Sequence, residues 1–260
     1  MSKVYVSFLG TGTGNGYNRV RYVISGTESD HTQFAQRAII QHHDPASFDR
    51  IHIFMTAMSR DKHWDMLRDE LIGIGVKPEA LLPHDTITTS MTPEDQWSWF
   101  EDMLKAIDND DEVIIDFTHG FRSFQIIFSS AIGFLQKARK FRLLHAYYGY
   151  VNLDSERGEI VDMASFYRIN DWADAVARLT ETADASKLAL LAQEEEDGSF
   201  AALNDPKLVE ALQSLTDIIK NIDVNRVGTI ADTALEIIGK KMAVSSGANL
   251  RLLEMVQDKF

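Results

Sequence analysis

The sequence predicts an α/β fold: a doubly wound, mostly parallel Rossmann-like sheet followed by an all-helical segment. Three observations carry that expectation. Over roughly the first 165 residues, β-rich runs alternate with runs of helical period, as βαβ units feeding a parallel sheet do. One strand, Glu112–Phe117, holds Val113-Ile114-Ile115 without polar alternation, the mark of a strand buried on both faces. After Asp171 only helical spacing remains. The boundary belongs near residue 168, which gives a unit of residues 1–168 and a helical unit of residues 169–260.

The elements follow in order. Val4–Leu9 is a short β-rich run ending in glycines, and Arg19–Ile24 alternates as a second strand. His31–His43 has helical spacing through Phe34, Ala38 and Ile39. Arg50–Met55 reads as a strand, and Trp64–Ile72 as a helix with Trp64, Leu67 and Leu71 on one side. Thr92-Pro93-Glu94-Asp95 is a helix start: a hydroxyl cap, proline in the first turn, then acids over the positive end of the dipole. That helix runs to Ile107. Trp97 and Trp99 cannot share one of its faces, so one belongs to the core and the other to a surface or interface. A helix from Phe121 to Lys137 and a strand Arg142–Tyr150 come next. Residues Leu153 to Glu159 read as a turn, and Ile160–Met163 as a short returning strand. In the helical unit, Trp172, Val176 and Leu179 share one face. Leu208, Leu212, Leu215, Ile218, Ile219 and Ile222 form another stripe, and Glu194–Ser199 reads as a solvated loop between them.

Composition narrows the function classes. At 260 residues, 45% hydrophobic and 25% charged, the chain has the make-up of a globular protein with a sizeable core. It contains no cysteine, so disulfides and thiolate zinc sites are excluded, and a reducing cytoplasm is the expected compartment. No apolar run approaches the ~18 residues of a membrane span. A net charge of −13 argues against a duplex-binding face, which would be basic. A small pocket lined by backbone N–H groups remains compatible with that charge.

Two segments carry chemistry. The first is Gly10-Thr11-Gly12-Thr13-Gly14-Asn15-Gly16-Tyr17, directly after the first strand. Its glycines let backbone N–H groups approach a ligand, and its threonines add hydroxyl donors. A dinucleotide fingerprint is not met: Asn15 stands where G-x-G-x-x-G needs glycine, and the loop opens into a strand instead of a helix. An NAD-dependent oxidoreductase is disfavoured on that ground. The alternative is a hairpin turn that binds nothing.

The second segment is Asp116-Phe117-Thr118-His119-Gly120-Phe121-Arg122-Ser123, at the carboxyl end of the buried strand and the start of a helix. Ligands of open α/β sheets sit at such ends. Thr118 or His119 is placed to cap the helix, and Gly120 clears the approach. Arg122 opposes the helix dipole in the first turn, a cost that an anion would remove. The alternative makes Asp116 and His119 a structural pair and Arg122 a surface residue. Thr56 and Ser59, at the end of Arg50–Met55, are weaker candidates for the same edge. His42-His43-Asp44 reads as a wet helix end. Arg139 and His145 have the R-x5-H spacing of a ribonuclease signature, but fall on a helix end and a strand.

Asp116-Phe117-Thr118-His119-Gly120 matches the D-x-T-H-G signature of CRISPR-associated Rossmann-fold (CARF) proteins, and Phe121-Arg122-Ser123 extends it. The glycine loop with Tyr17, the helix start at Pro93–Trp97, the strand Ala146–Tyr150 and Trp172 also resemble that family's layout. The resemblance covers roughly residues 3–185. It departs at Phe124-Gln125, where the family usually has a proline soon after the arginine-serine pair.

The resemblance implies a homodimeric sensor of a cyclic oligoadenylate, tetra-adenylate before hexa-adenylate, that relays the signal to an effector in type III CRISPR antiviral defence. It implies one pocket on the two-fold axis and neither cofactor nor metal. The residues carried over are Gly10, Thr11, Gly12, Thr13, Gly14, Asn15, Tyr17, Thr118, His119, Gly120, Phe121, Arg122 and Ser123, with Thr56 and Ser59. Residues 169–260 hold no histidine and no cysteine, so the helical unit is expected to be a connector or dimerisation element without a HEPN or zinc-deaminase site. An effector would lie beyond Phe260, or the chain is a free-standing sensor. The alternative activity is a metal-independent ring nuclease, with His119, Arg122 and Thr13 as its catalytic groups and His119 titrating near neutrality.

Overall fold

In the computed structural model the described residues are 1–12, 16–90, 92–120, 122–152, 156–194, 205–220 and 224–258. The chain divides into two units, Met1–Ala164 and Ser165–Phe260. The strands of the first unit are β1 (Lys3–Leu9), β2 (Val20–Ile24), β3 (Thr27–Thr32), β4 (Arg50–Thr56), β5 (Leu81–Ile87), β6 (Glu112–Asp116), β7 (Arg142–Asn152) and β8 (Arg157–Asp162). They form one sheet in the order β3-β2-β8-β7-β6-β1-β4-β5. The run β7-β6-β1-β4-β5 is parallel throughout. Antiparallel pairing enters only at β7/β8 and β2/β3, with β2 parallel to β8. The fold is the mostly parallel α/β arrangement that the alternation predicts. Its parallel part has the Rossmann strand order, in which winding reverses at β1.

Helices cover both sheet faces. The crossovers on one side are α1 (Ala35–His42) and α3 (Asp65–Gly73). Ala35, Ile39, Leu67 and Leu71 pack there against Tyr5, Leu9, Ile51, Ile53 and Ile114 of the strands. On the other side lie α4 (Pro93–Ala106) and α5 (Arg122–Ala138). An aromatic cluster joins α4 and α5 to the sheet: the Phe8 ring meets Phe128 edge-on at 4.6 Å and Phe124 at 5.7 Å, and Trp99 meets Phe124 at 4.5 Å. Thr92 and Asp95 complete the capping box at the start of α4. Of its two tryptophans, Trp99 is buried and Trp97 exposed.

The structure departs from the sequence reading mainly at the edges. β3 (TESDHT) is exposed along most of its length, and an edge strand with no face to bury leaves no hydrophobic period. The helix expected at His31–His43 therefore begins only at Ala35. β5, the opposite edge, carries Pro83, which an edge tolerates. β8 begins at Arg157, inside the expected turn. Before α3, the chain leaves β4 through a short helix α2 (Ala57–Ser59) and a π-helical turn, Arg60–Trp64.

The second unit is helical: α6 (Ala164–Thr182), α7 (Ser186–Glu194), α8 (Pro206–Lys220), α9 (Val224–Met242) and α10 (Gly247–Gln257). Trp172, Val176, Leu179, Leu208 and Leu212 are buried together with Ala234, Ile238, Leu252 and Val256. Most of the expected loop Glu194–Ser199, together with Ile222 and the side chains of Leu215 and Ile219, lies outside the described residues. Among the described residues, no helix is long and apolar enough to cross a membrane.

Candidate functional site

The reversal of winding at β1 opens a crevice at the carboxyl ends of β1 and β6, where open α/β sheets bind ligands. Both sequence segments end there. Gly10 follows β1, and a β-carbon on it would stand 2.7 Å from the His119 carbonyl oxygen. Only glycine lets the loop lie against the turn. Gly12 has φ +68°, and a β-carbon there would meet the Gly16 backbone at 2.6 Å. Thr13, Gly14 and Asn15 lie outside the described residues. The chain then enters β2, so no dinucleotide-type helix follows the loop.

The turn after β6 is fixed from beneath by Asp116. Its Oδ2 accepts from Tyr5 Oη at 3.0 Å and Ser7 Oγ at 2.8 Å, and its Oδ1 accepts from the Thr118 N–H at 2.8 Å. The carboxyl is fully buried. Burial raises its pKa, and the hydrogen bonds from Thr118, Ser7 and Tyr5 oppose that rise. Asp116 thus anchors the turn and is not the partner of His119. Thr118 turns its hydroxyl to β7, accepting from the Gly149 N–H at 2.8 Å. His119 reaches α1, where its Nε2 accepts from the Ala35 N–H at 3.3 Å. These side chains tie the turn to the neighbouring strand and helix.

The same geometry corrects the expected titration of His119. An imidazole whose Nε2 accepts a helix N–H keeps its proton on Nδ1. Burial, helped by nearby His63, lowers its pKa to about 3. The ring is a neutral hydrogen-bond donor in the physiological range and is not poised for general acid–base work.

Tyr17 packs over this corner, its ring 4.2 Å from that of His119 and 5.0 Å from that of His63. Its hydroxyl is buried and, among the described residues, makes no well-formed hydrogen bond. Burial pushes the phenol pKa up, although the N–H groups of Gly10 and Gly12 face it and favour the ionised form.

Two residues that the sequence reading missed complete the edge. The π-helical turn brings Lys62 Nζ to 2.9 Å and His63 Nε2 to 3.0 Å from the Thr11 carbonyl oxygen. π-Turns often mark functional sites. The available signal was position: Lys62 and His63 lie three and four residues beyond Ser59, on the strand end already singled out. Thr56 and Ser59 themselves are buried and bonded to each other, Oγ1 to Oγ at 2.8 Å, with Thr56 Oγ1 also capping the Ser59 N–H. Thr56 lines a small, open cleft together with Gly10, Ile87, His119, Gly120 and Phe124. Gly120 packs on the Phe8 ring, 3.4 Å from where its β-carbon would be. Phe121 lies outside the described residues. Arg122 opens α5, but its side chain and that of Ser123 are likewise outside the description.

The remaining polar candidates have structural partners. Arg139 donates to the Leu104 carbonyl oxygen at 2.7 Å and also to that of Ile107, closing the end of α4. His145 pairs with Asp162 at 2.6 Å, and His43 with the Tyr147 hydroxyl at 2.8 Å. No group of three or more metal-ligating side chains converges among the described residues.

No protein-family model matches the chain. A search of curated proteins finds a CRISPR-associated protein of Methanocaldococcus jannaschii, 23% identical over 128 residues. The matched stretch spans 48% of this chain and 18% of that protein.

Proposed function

We propose that the chain is a receptor for a cyclic oligoadenylate, acting as a cytoplasmic homodimer that senses the ligand in type III CRISPR defence. One observation carries the reading: the glycine loop and the D-x-T-H-G turn are packed into a single edge at the switch point, Gly10 against the His119 carbonyl. Backbone N–H groups and a helix start suit phosphate, while the charge of −13 disfavours a long polymer. Similarity to an archaeal CRISPR-associated protein supports a CRISPR-related role. Neutral His119, with Nδ1–H to donate, suits binding better than ring cleavage.

The cleft's size supports the dimer. It has room for little more than one water molecule, far less than sites that enclose a whole small ligand. A ring of four or six adenylates would extend beyond it, and a second copy would meet the ring with the same groups across a two-fold axis. The test is calorimetric titration with cyclic tetra-adenylate and cyclic hexa-adenylate. One ring per two chains is expected, and Arg122→Ala should weaken binding about tenfold or more through loss of a charge-assisted contact. An endpoint of one ring per chain would overturn the shared pocket. Absence of binding by either ring would overturn the receptor.

A further inference from the structure

The Thr11 carbonyl receives two donors from the π-helical turn, Lys62 Nζ at 2.9 Å and His63 Nε2 at 3.0 Å. The two differ in burial. His63 is buried, packed against Phe34 and Tyr17, with its ring carbon 3.1 Å from where a Gly16 β-carbon would stand. Lys62 is exposed on a flexible stem. If Lys62 leaves, His63 still donates to the Thr11 carbonyl. A chain of net charge −13 needs local cations to hold a phosphate. Lys62 stands at the loop itself, donating to its Thr11 carbonyl.

We propose that Lys62 contacts a ligand phosphate at the glycine loop, exchanging the Thr11 carbonyl for a phosphate oxygen. The exchange replaces an ammonium–carbonyl bond with an ion-paired one, which is stronger. His63 still donates to the Thr11 carbonyl while the cation moves. Lys62 thereby supplies a cation on the glycine-loop side of the site, in addition to Arg122 at the start of α5. The assignment rests on the receptor reading above and adds to it a residue outside both sequence motifs.

The test is binding of cyclic tetra-adenylate and cyclic hexa-adenylate across a salt series, for the wild type and four variants. Lys62→Gln keeps a donor for Thr11 but removes the charge. Lys62→Met removes both, and Lys62→Arg keeps both. Lys77→Gln makes the same change in net charge at the amino ends of the parallel strands. Lys62→Gln and Lys62→Met should lose about tenfold in affinity at low salt, with a shallower dependence of affinity on salt. Lys62→Arg and Lys77→Gln should follow the wild type in both. Wild-type affinity in Lys62→Gln, or a loss with the salt slope unchanged, would overturn the phosphate contact and leave Lys62 a structural latch. A wild type that binds neither ring would overturn the receptor reading itself, and the proposal with it.

Discussion

His119 and His52 are held neutral by burial, and each couples its proton to the stability of the fold. His52 lies within β4, its Nδ1 2.9 Å from His84 Nε2, and burial beside His84 lowers its pKa to about 4. His119 is lowered to about 3. A histidine of the unfolded chain titrates near ~6.5, so below that pH the unfolded state takes up protons that the folded state refuses. The stabilisation is complete above ~6.5 and is lost as pH falls toward the folded values, on the order of 2 kcal/mol for each histidine by pH 5. Asp116, with its raised pKa, works in the opposite direction as pH falls. The urea midpoint should drop between pH 7 and pH 5, and His52→Gln should drop less over the same interval. Parallel pH profiles would show that His52 is not a source of the acid sensitivity. These roles were hidden in the sequence, where His52 is one polar residue in an apolar strand. Asp116 was legible as part of a motif, but not as the acceptor for Tyr5 and Ser7, since its fully buried state depends on strand pairing 109 and 111 residues apart.

Between elements, the site depends on how closely the loop after β1 approaches the turn after β6, and Gly10 sets that distance. A methyl at Gly10 would stand 2.7 Å from a backbone oxygen, which cannot rotate away, so the two segments must separate. Gly10→Ala should therefore weaken ring binding at least tenfold while costing only about 1–3 kcal/mol in stability, as overpacking does. Wild-type affinity in a folded Gly10→Ala variant would show that the close approach is irrelevant to binding. The glycine spacing and the D-x-T-H-G turn were readable because each is contiguous and lies next to a buried strand. The central parallel strands β1, β4 and β6 were readable because burial on both faces leaves a continuous apolar run. β3 and β5 were missed because edge strands bury too little to leave a period, and the latch from Lys62 and His63 was missed because a π-turn has no spacing rule to read.

At the scale of the whole molecule, the expected partner is a second copy, and the surface that would receive it begins beside the cleft. Helix α5 starts next to Gly120, and along it Ile126 is 72% exposed and Phe134 52% exposed. Phe134 continues into Phe100 at 5.8 Å, and Phe100 into Trp97 at 5.7 Å, with Trp97 itself 66% exposed. Scattered apolar residues on a surface need no explanation, but a connected aromatic row crossing two helices is the sort of patch that marks an interface. The row shares α5 with the turn after β6, and an isologous contact with its two-fold axis near the amino end of α5 would bring two clefts together. The wild type should therefore be a dimer by light scattering at micromolar concentration. Trp97→Glu with Phe134→Glu should give a folded monomer, since a charge buried at a dimer contact is strongly unfavourable while both positions are exposed in a single chain. The same double variant should lose tight ring binding although it leaves every residue of the glycine loop and the turn intact. A double variant that stays dimeric would move the interface elsewhere, and one that becomes monomeric yet binds the ring with undiminished affinity would show that one chain suffices for the site.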